Sequence, residues 1–310
     1  MTATTEMNAG GDTLARPVFV LAGPFCHGAH LTAMLGRNPG AYGLPETNLF
    51  LQKTLDGLLR DLTGARGSQI HGLIRVLAHL LTGEQTVLSV EAARRWLFEH
   101  LHWPTHWVFD FLRAKVAPLR LVERVTPTVL EADARERLIA RYPDAQFVHI
   151  TRHPRSHGKA ALKDGGAVVT LLGGFDESVT PHVLDPQYLW LRAEYAIETM
   201  TGALPEGQVL TIHSEDLLTD PDATLTRICD WLGLPSDAAA LERMKHPEAS
   251  PFAHPGPLGA LMGDDADFLA NPALPVPDPE TRLDGPLPWR PDDAGFSEHV
   301  TSRAKKMGYS

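Results

Sequence analysis

The chain has 310 residues, 43% of them hydrophobic and 21% charged, enough to bury a sizeable core and close to the upper size of one domain. A formal net charge of −10 disfavours a nucleic-acid binder, and no apolar run approaches the twenty residues a bilayer span needs, so neither nucleic acid nor membrane is an expected partner. Two cysteines, Cys26 and Cys229, leave little basis for a disulfide framework and fit a reducing compartment such as the cytoplasm.

Residues 1–16 are small and polar, with neither a basic start nor an apolar segment, and read as a disordered tail preceding a single domain over 17–310. Pro17 to Gly23 is short, apolar and β-branched, which predicts a buried parallel strand. From Gly28 the apolar positions Leu31, Met34 and Leu35 recur at helical spacing until Asn38-Pro39-Gly40 stops them. A strand, a tight loop and a helix form an arrangement suited to holding phosphate.

Between Asn48 and Val116 the periodicity is helical throughout and predicts a helical layer or lid. Strands are expected at Leu119 to Val125, Gln146 to Thr151 and Gln208 to His213, with helices at Val129 to Arg141 and Gln187 to Met200 between them. Such alternation predicts an α/β fold with a central parallel sheet covered by helices on both faces. Asp220-Pro221-Asp222 opens a further helix whose apolar stripe, Leu225, Ile228, Cys229 and Leu232, makes Cys229 a packing residue. Pro251 to Pro291 is rich in proline and aperiodic, an irregular arm rather than a linker, and Phe296 to Met307 is expected to close the chain as a helix.

Three stretches, PVFVLAGPFCHGAHL, YPDAQFVHITRHPRSHGKAAL and TIHSEDLLTDPDATLTRICDWLGLP, together resemble the sulfotransferase family, whose members use the donor 3′-phosphoadenosine 5′-phosphosulfate (PAPS). The likeness spans most of Pro17 to Pro235, echoes weakly in Trp289-Arg290, and implies a three-layer, P-loop-type fold. It aligns Gly23, Pro24, Phe25, Cys26, His27, Gly28, Ala29 and His30 with the family's phosphosulfate loop. Gly23, Pro24 and Gly28 keep its pattern, while Cys26 stands where the family has a basic residue. Arg152 falls where the family's arginine binds the 3′-phosphate, a task suited to a rigid two-pronged donor. Ala160 replaces the partner serine, with Ser156 and Lys159 as nearby substitutes, and Thr126-Pro127 matches a Lys-Thr-Pro motif whose lysine position is Val125, beside Arg124. Trp289 and Arg290 are placed either as a cap over the nucleotide or as anchors of the arm.

What the resemblance implies is sulfuryl transfer from PAPS to a hydroxyl or amine of a small molecule, with Glu46 as the base that takes the acceptor's proton. Glu46 equally suits a helix N-terminal acid. Cys26, with His27 and His30 beside it, is open to two readings: a small buried filler, or a thiolate nucleophile of lowered pKa in an enzyme that has abandoned PAPS for acyl transfer, cyclisation or hydrolysis. A catalytically silent binding protein is the third alternative. Cys26, His27 and His30 lack a zinc spacing and a fourth ligand, so no metal is expected. The acceptor is not coded in the helical layer or the arm, and a homo-oligomer stays open.

Overall fold

The run Val18-Phe19-Val20-Leu21 is entirely apolar because the strand it forms is buried on both faces, and in the computed structural model, which describes residues 14–163, 166–278 and 282–310, β1 spans Val18–Leu21 with every residue buried. A helix α1 (Gly28–Gly36) and a second strand β2 (Ala41–Leu44) follow. The helical region contains α2 (Leu55–Asp61), α3 (His71–Thr82), α4 (Val87–Glu99) and α5 (Thr105–Val116). Then come β3 (Arg120–Arg124), α6 (Thr126–Leu130), α7 (Ala132–Arg141), β4 (Gln146–Thr151) and α8 (Pro154–Lys163). A helix α9 (Ala167–Leu171) and the short antiparallel pair β5 (Phe175–Asp176) and β6 (Val183–Leu184) precede α10 (Gln187–Thr201) and β7 (Val209–His213). The chain continues through α11 (Ser214–Thr219), α12 (Pro221–Leu232), α13 (Ala238–Met244), α14 (Ala266–Ala270) and α15 (Glu298–Lys306).

Five strands form one parallel sheet in the order β2-β3-β1-β4-β7, with Val20 opposite Arg124 and Leu21 opposite His149. Period-two alternation sends Val18 and Val20 to one face, where they meet Met34 and Leu35 of α1 and Ile228 and Cys229 of α12. Phe19 points the other way, 5.5 Å from both Phe50 and Phe109 of the helical layer. Full burial of such a side chain contributes about 2 to 3 kcal/mol, so Phe19 ties the sheet to that layer. Two helical layers on one sheet give the expected three-layer α/β architecture, and Cys229 is the buried packing residue its helical position predicted.

The departures have local causes. β2 was not anticipated because Ala-Tyr-Gly-Leu is too short and glycine-interrupted to read as a strand. The single helix expected at Val129 to Arg141 is two, since Glu131 adopts an extended conformation (φ −111°, ψ 119°) between α6 and α7. The predicted arm is irregular but carries the five-residue α14. Of the predicted tail, residues 1–13 lie outside the described residues, whereas the Leu14 and Ala15 carbonyls accept hydrogen bonds from Arg113.

Arg155, buried at the start of α8, fastens the arm to the sheet's edge. Its guanidinium donates to the carbonyls of Arg282 (3.0 Å), Asp284 (2.6 Å) and Pro286 (2.8 Å), and sits 5.5 Å from the Phe296 ring. One turn on, a Cβ added to Gly158 would lie 2.3 Å from the Trp289 ring, so only glycine lets the arm approach this closely.

Candidate active site

In a parallel sheet the carboxyl ends of the strands share one rim, and the loops leaving them are where ligands bind. β1 lies between β3 and β4, so the turn after β1 is flanked by whatever leaves β3 on one side and β4 on the other. The first contributes Arg124, the second Arg152.

The turn itself is conformationally unusual. Phe25 (φ 64°) and His27 (φ 60°) both occupy the left-handed region, which costs a residue with a side chain about 1 to 2 kcal/mol. His27 is the N-cap of α1 yet makes no side-chain cap, and no acidic residue occupies the first helical turn. Among the described residues, therefore, no side-chain cap occupies the leading amides of α1, the arrangement that receives an anion. Gly28 is obligatory: a Cβ there would stand 2.7 Å from both the Ala22 methyl and the Arg124 Cδ.

Arg152 closes the turn from the β4 side. Its Nη1 donates to the Phe25 carbonyl at 3.0 Å and its Nε to Ser156 Oγ at 3.3 Å, while Trp190 Nε1 donates to its own carbonyl at 2.8 Å. These side-chain partners are neutral, and among the described residues Arg152 forms no ion pair. Ser156, one of the two substitutes considered for the missing partner serine, thus touches the guanidinium. Lys159, the other, extends outward with its Nζ 3.9 Å from Asp278.

Cys26 is 1% exposed, and burial, with Glu194 adding to it and Arg152 partly offsetting it, pushes its thiol well above the ordinary range. Of the two readings of Cys26, this favours the small buried filler over the thiolate of lowered pKa. His27 and His30 are neutral for the same reason: burial lowers His27 far below its usual value with help from Arg152, and lowers His30 to about 4. Their rings stand edge to face at 5.6 Å.

On the β3 side, Glu46 Oε1 accepts from the Thr126 backbone N–H (3.2 Å) and lies 3.3 Å from Arg124 Nη2. Burial raises its pKa to about 7, with Arg124 opposing and Asp265 and Asp264 reinforcing the rise. Glu46 thus accepts from the first amide of α6, as a helix N-terminal acid does, and at the same time is a carboxyl whose pKa lies near neutrality. Next to it Glu123 accepts from the Thr47 amide (2.7 Å) and hydroxyl, and burial raises its pKa to about 8.

Arg124 is 2% exposed and carries three carboxylates: Glu46, Asp264 at 2.6 Å and Asp265 at 2.8 Å. Arg124 could have been suspected from its place beside Thr126-Pro127. Asp264 and Asp265 carry no comparable signal, because they sit in an aperiodic stretch 140 residues away. Trp289 and Arg290 act as anchors: Trp289 Nε1 donates to Asp185 (2.9 Å), and Arg290 pairs with Asp176, Asp185 and Asp292. Arg290 thus faces the β5–β6 hairpin and not the turn.

The model of the sulfotransferase family matches residues 17–238. Two solved structures resemble the chain over nearly its whole length. The sulfotransferase domain from the curacin biosynthetic pathway is 18% identical with a TM-score of 0.72, the match covering 96% of this chain and 99% of that one. The sulfotransferase domain from the Synechococcus PCC 7002 olefin synthase is 20% identical with a TM-score of 0.71, covering 97% and 98%. At this identity the two establish a shared fold. No curated protein matches the sequence significantly, and among the described residues no helix is long and apolar enough to cross a membrane.

Proposed function

Because the chain belongs to the sulfotransferase family, we propose that it transfers the sulfuryl group of PAPS to a hydroxyl or amine of a small molecule. The observation that carries this reading is the uncapped N-terminus of α1 behind a strained turn, with a guanidinium paired only to neutral groups closing over it. The amides of Gly28 and Ala29 and the Arg152 side chain would hold the anionic donor, and Gly23 and Pro24 let the backbone make the turn. PAPS supplies an activated sulfur–oxygen bond; the chain's residues position it and receive the proton.

In that reaction the acceptor oxygen or nitrogen bonds to sulfur as the sulfur–oxygen bond to the 5′-phosphate breaks, releasing 3′-phosphoadenosine 5′-phosphate (PAP). The acceptor's proton passes to Glu46. A carboxylate with a pKa of about 7 is matched to this task at neutral pH. Positioning and neutralisation of developing charge account for the remaining catalysis. With Cys26 in place of a basic residue, one charge-assisted contact of about 1.5 to 3 kcal/mol is missing, so donor affinity should be roughly tenfold to a hundredfold weaker than a basic loop would provide. The raised Cys26 pKa speaks against the thiolate alternative. Two buried free cysteines agree with a cytoplasmic location, and the partner we assign is a small-molecule acceptor.

Calorimetric titration with PAP tests the proposal. Binding by the wild type that disappears in Arg152→Ala is the expected result. No heat at millimolar PAP would remove PAPS from the account.

A further inference from the structure

Arg124 is an uncommon ion-pair centre: one buried guanidinium facing three carboxylates, directly beneath the glycine that opens α1. One guanidinium balances one carboxylate, and Glu46 is already within 3.3 Å. The two further acids both come from a single segment of the arm, Asp264-Asp265, which takes one Nη each at 2.6 and 2.8 Å. Asp264 is also within the field of Arg75 and Asp265 is 37% exposed, yet crowding both beside Glu46 still sets like charges against one another.

The same segment is held by packing, with Phe268 and Leu269 exposed by only 2% and 4%, and not by a ladder of backbone hydrogen bonds. Its backbone hydrogen bonds run mainly within itself, Leu269 to Asp265 and Asn271 to Asp267, and no strand ladder joins it to the sheet. Met262 N–H reaches His71 Nδ1 at 3.3 Å, and Phe268 stands edge to face on His30 at 4.9 Å. Phe268 and Leu269 pack on the small side chains Ala29 and Ala33 of α1 and on Ala253, and Arg75 Nη1 donates to the Met262 carbonyl at 3.5 Å. Gly263 (φ 130°) gives its N-terminal end a conformation that side chains rarely adopt, and Pro272 comes one residue beyond the end of α14, after Asn271.

We propose that Asp264 and Asp265 stand in for the anionic oxygens of the donor, so that Arg124 is a second donor-binding guanidinium masked by a displaceable strap, residues 262–271. This rests on the donor reading above. Entry of the anion exchanges two carboxylates for donor oxygens on the same nitrogens, leaving Arg124 still paired with Glu46 and the strap released from the turn. A strap that is closed about nine-tenths of the time reduces apparent affinity about tenfold.

The test uses the full chain. In Asp264→Asn/Asp265→Asn, which keeps shape but removes both charges, PAP should bind about tenfold more tightly than to wild type, and adding Arg124→Ala to that variant should abolish the gain. Independently, hydrogen exchange in residues 262–271 of the wild type should accelerate when PAP is added. Unchanged or weaker PAP affinity in the double variant, together with undiminished protection of the segment, overturns the strap. If the wild type still binds PAP in a manner lost in Arg152→Ala, the donor reading survives that failure; absence of PAP binding in both proteins overturns the two together.

Discussion

Glu46 and Glu123 are neighbours with different tasks, and their environments separate them. Glu46 touches an amide and a guanidinium, and its pKa of about 7 makes the unprotonated base available only as pH rises. The transfer rate should therefore climb through about pH 7, and Glu46→Gln should lower it by roughly a hundredfold to ten-thousandfold, as steady-state rates would show. Glu123 has only neutral donors. Its folded pKa of about 8 exceeds the ordinary 4.5, so the native state holds more protons than the unfolded one between those values and stability falls as pH increases across that window. Glu123→Gln keeps an acceptor for Thr47 and should flatten the decline in melting temperature between pH 6 and 8.5. Cys26→Ser should retain most of the activity, because a thiol buried at 1% exposure is a filler of the turn; loss of turnover in that variant would revive the nucleophile. Gly28 and Arg152 could be singled out because each follows a strand that the sequence shows, and Glu46 because the resemblance points to it. The charge excess on Arg124 could not be, since its partners are joined to it only by folding.

Elements follow the same division. β1, β4 and β7 announced themselves as apolar, β-branched runs, and α12 did so through Asp220, which caps it by accepting from the Ala223 amide at 3.0 Å. What escaped notice depended on tertiary approach: β2 exists because β3 offers it a parallel partner from Ala41 to Leu44, not because its residues favour a strand. The contact between α8 and the arm is of this second kind. Gly158→Ala should cost about 1 to 3 kcal/mol and lower the melting temperature, since the Trp289 ring must be displaced to admit even a methyl group.

For the whole molecule, the sheet sets where chemistry can occur and the arm decides how the rim is covered. An aperiodic, proline-rich stretch gives no hint in sequence of where it docks; four carbonyls on Arg155 and three carboxylates on Arg290 supply the answer. Arg155→Ala should destabilise the fold by about 1 to 3 kcal/mol and open residues 282–297 to limited proteolysis, because the arm's carbonyls lose a charged donor and a buried side chain is removed. Arg152 and Arg155 stand three residues apart where β4 gives way to α8, one reaching the turn and the other the arm, and the Trp289 indole rests on the next turn of that helix. A ligand held by Arg152 would therefore lie one helical turn from the Trp289 indole, and a change in tryptophan emission on adding PAP that is absent in Trp289→Phe is the expected optical signature of its arrival.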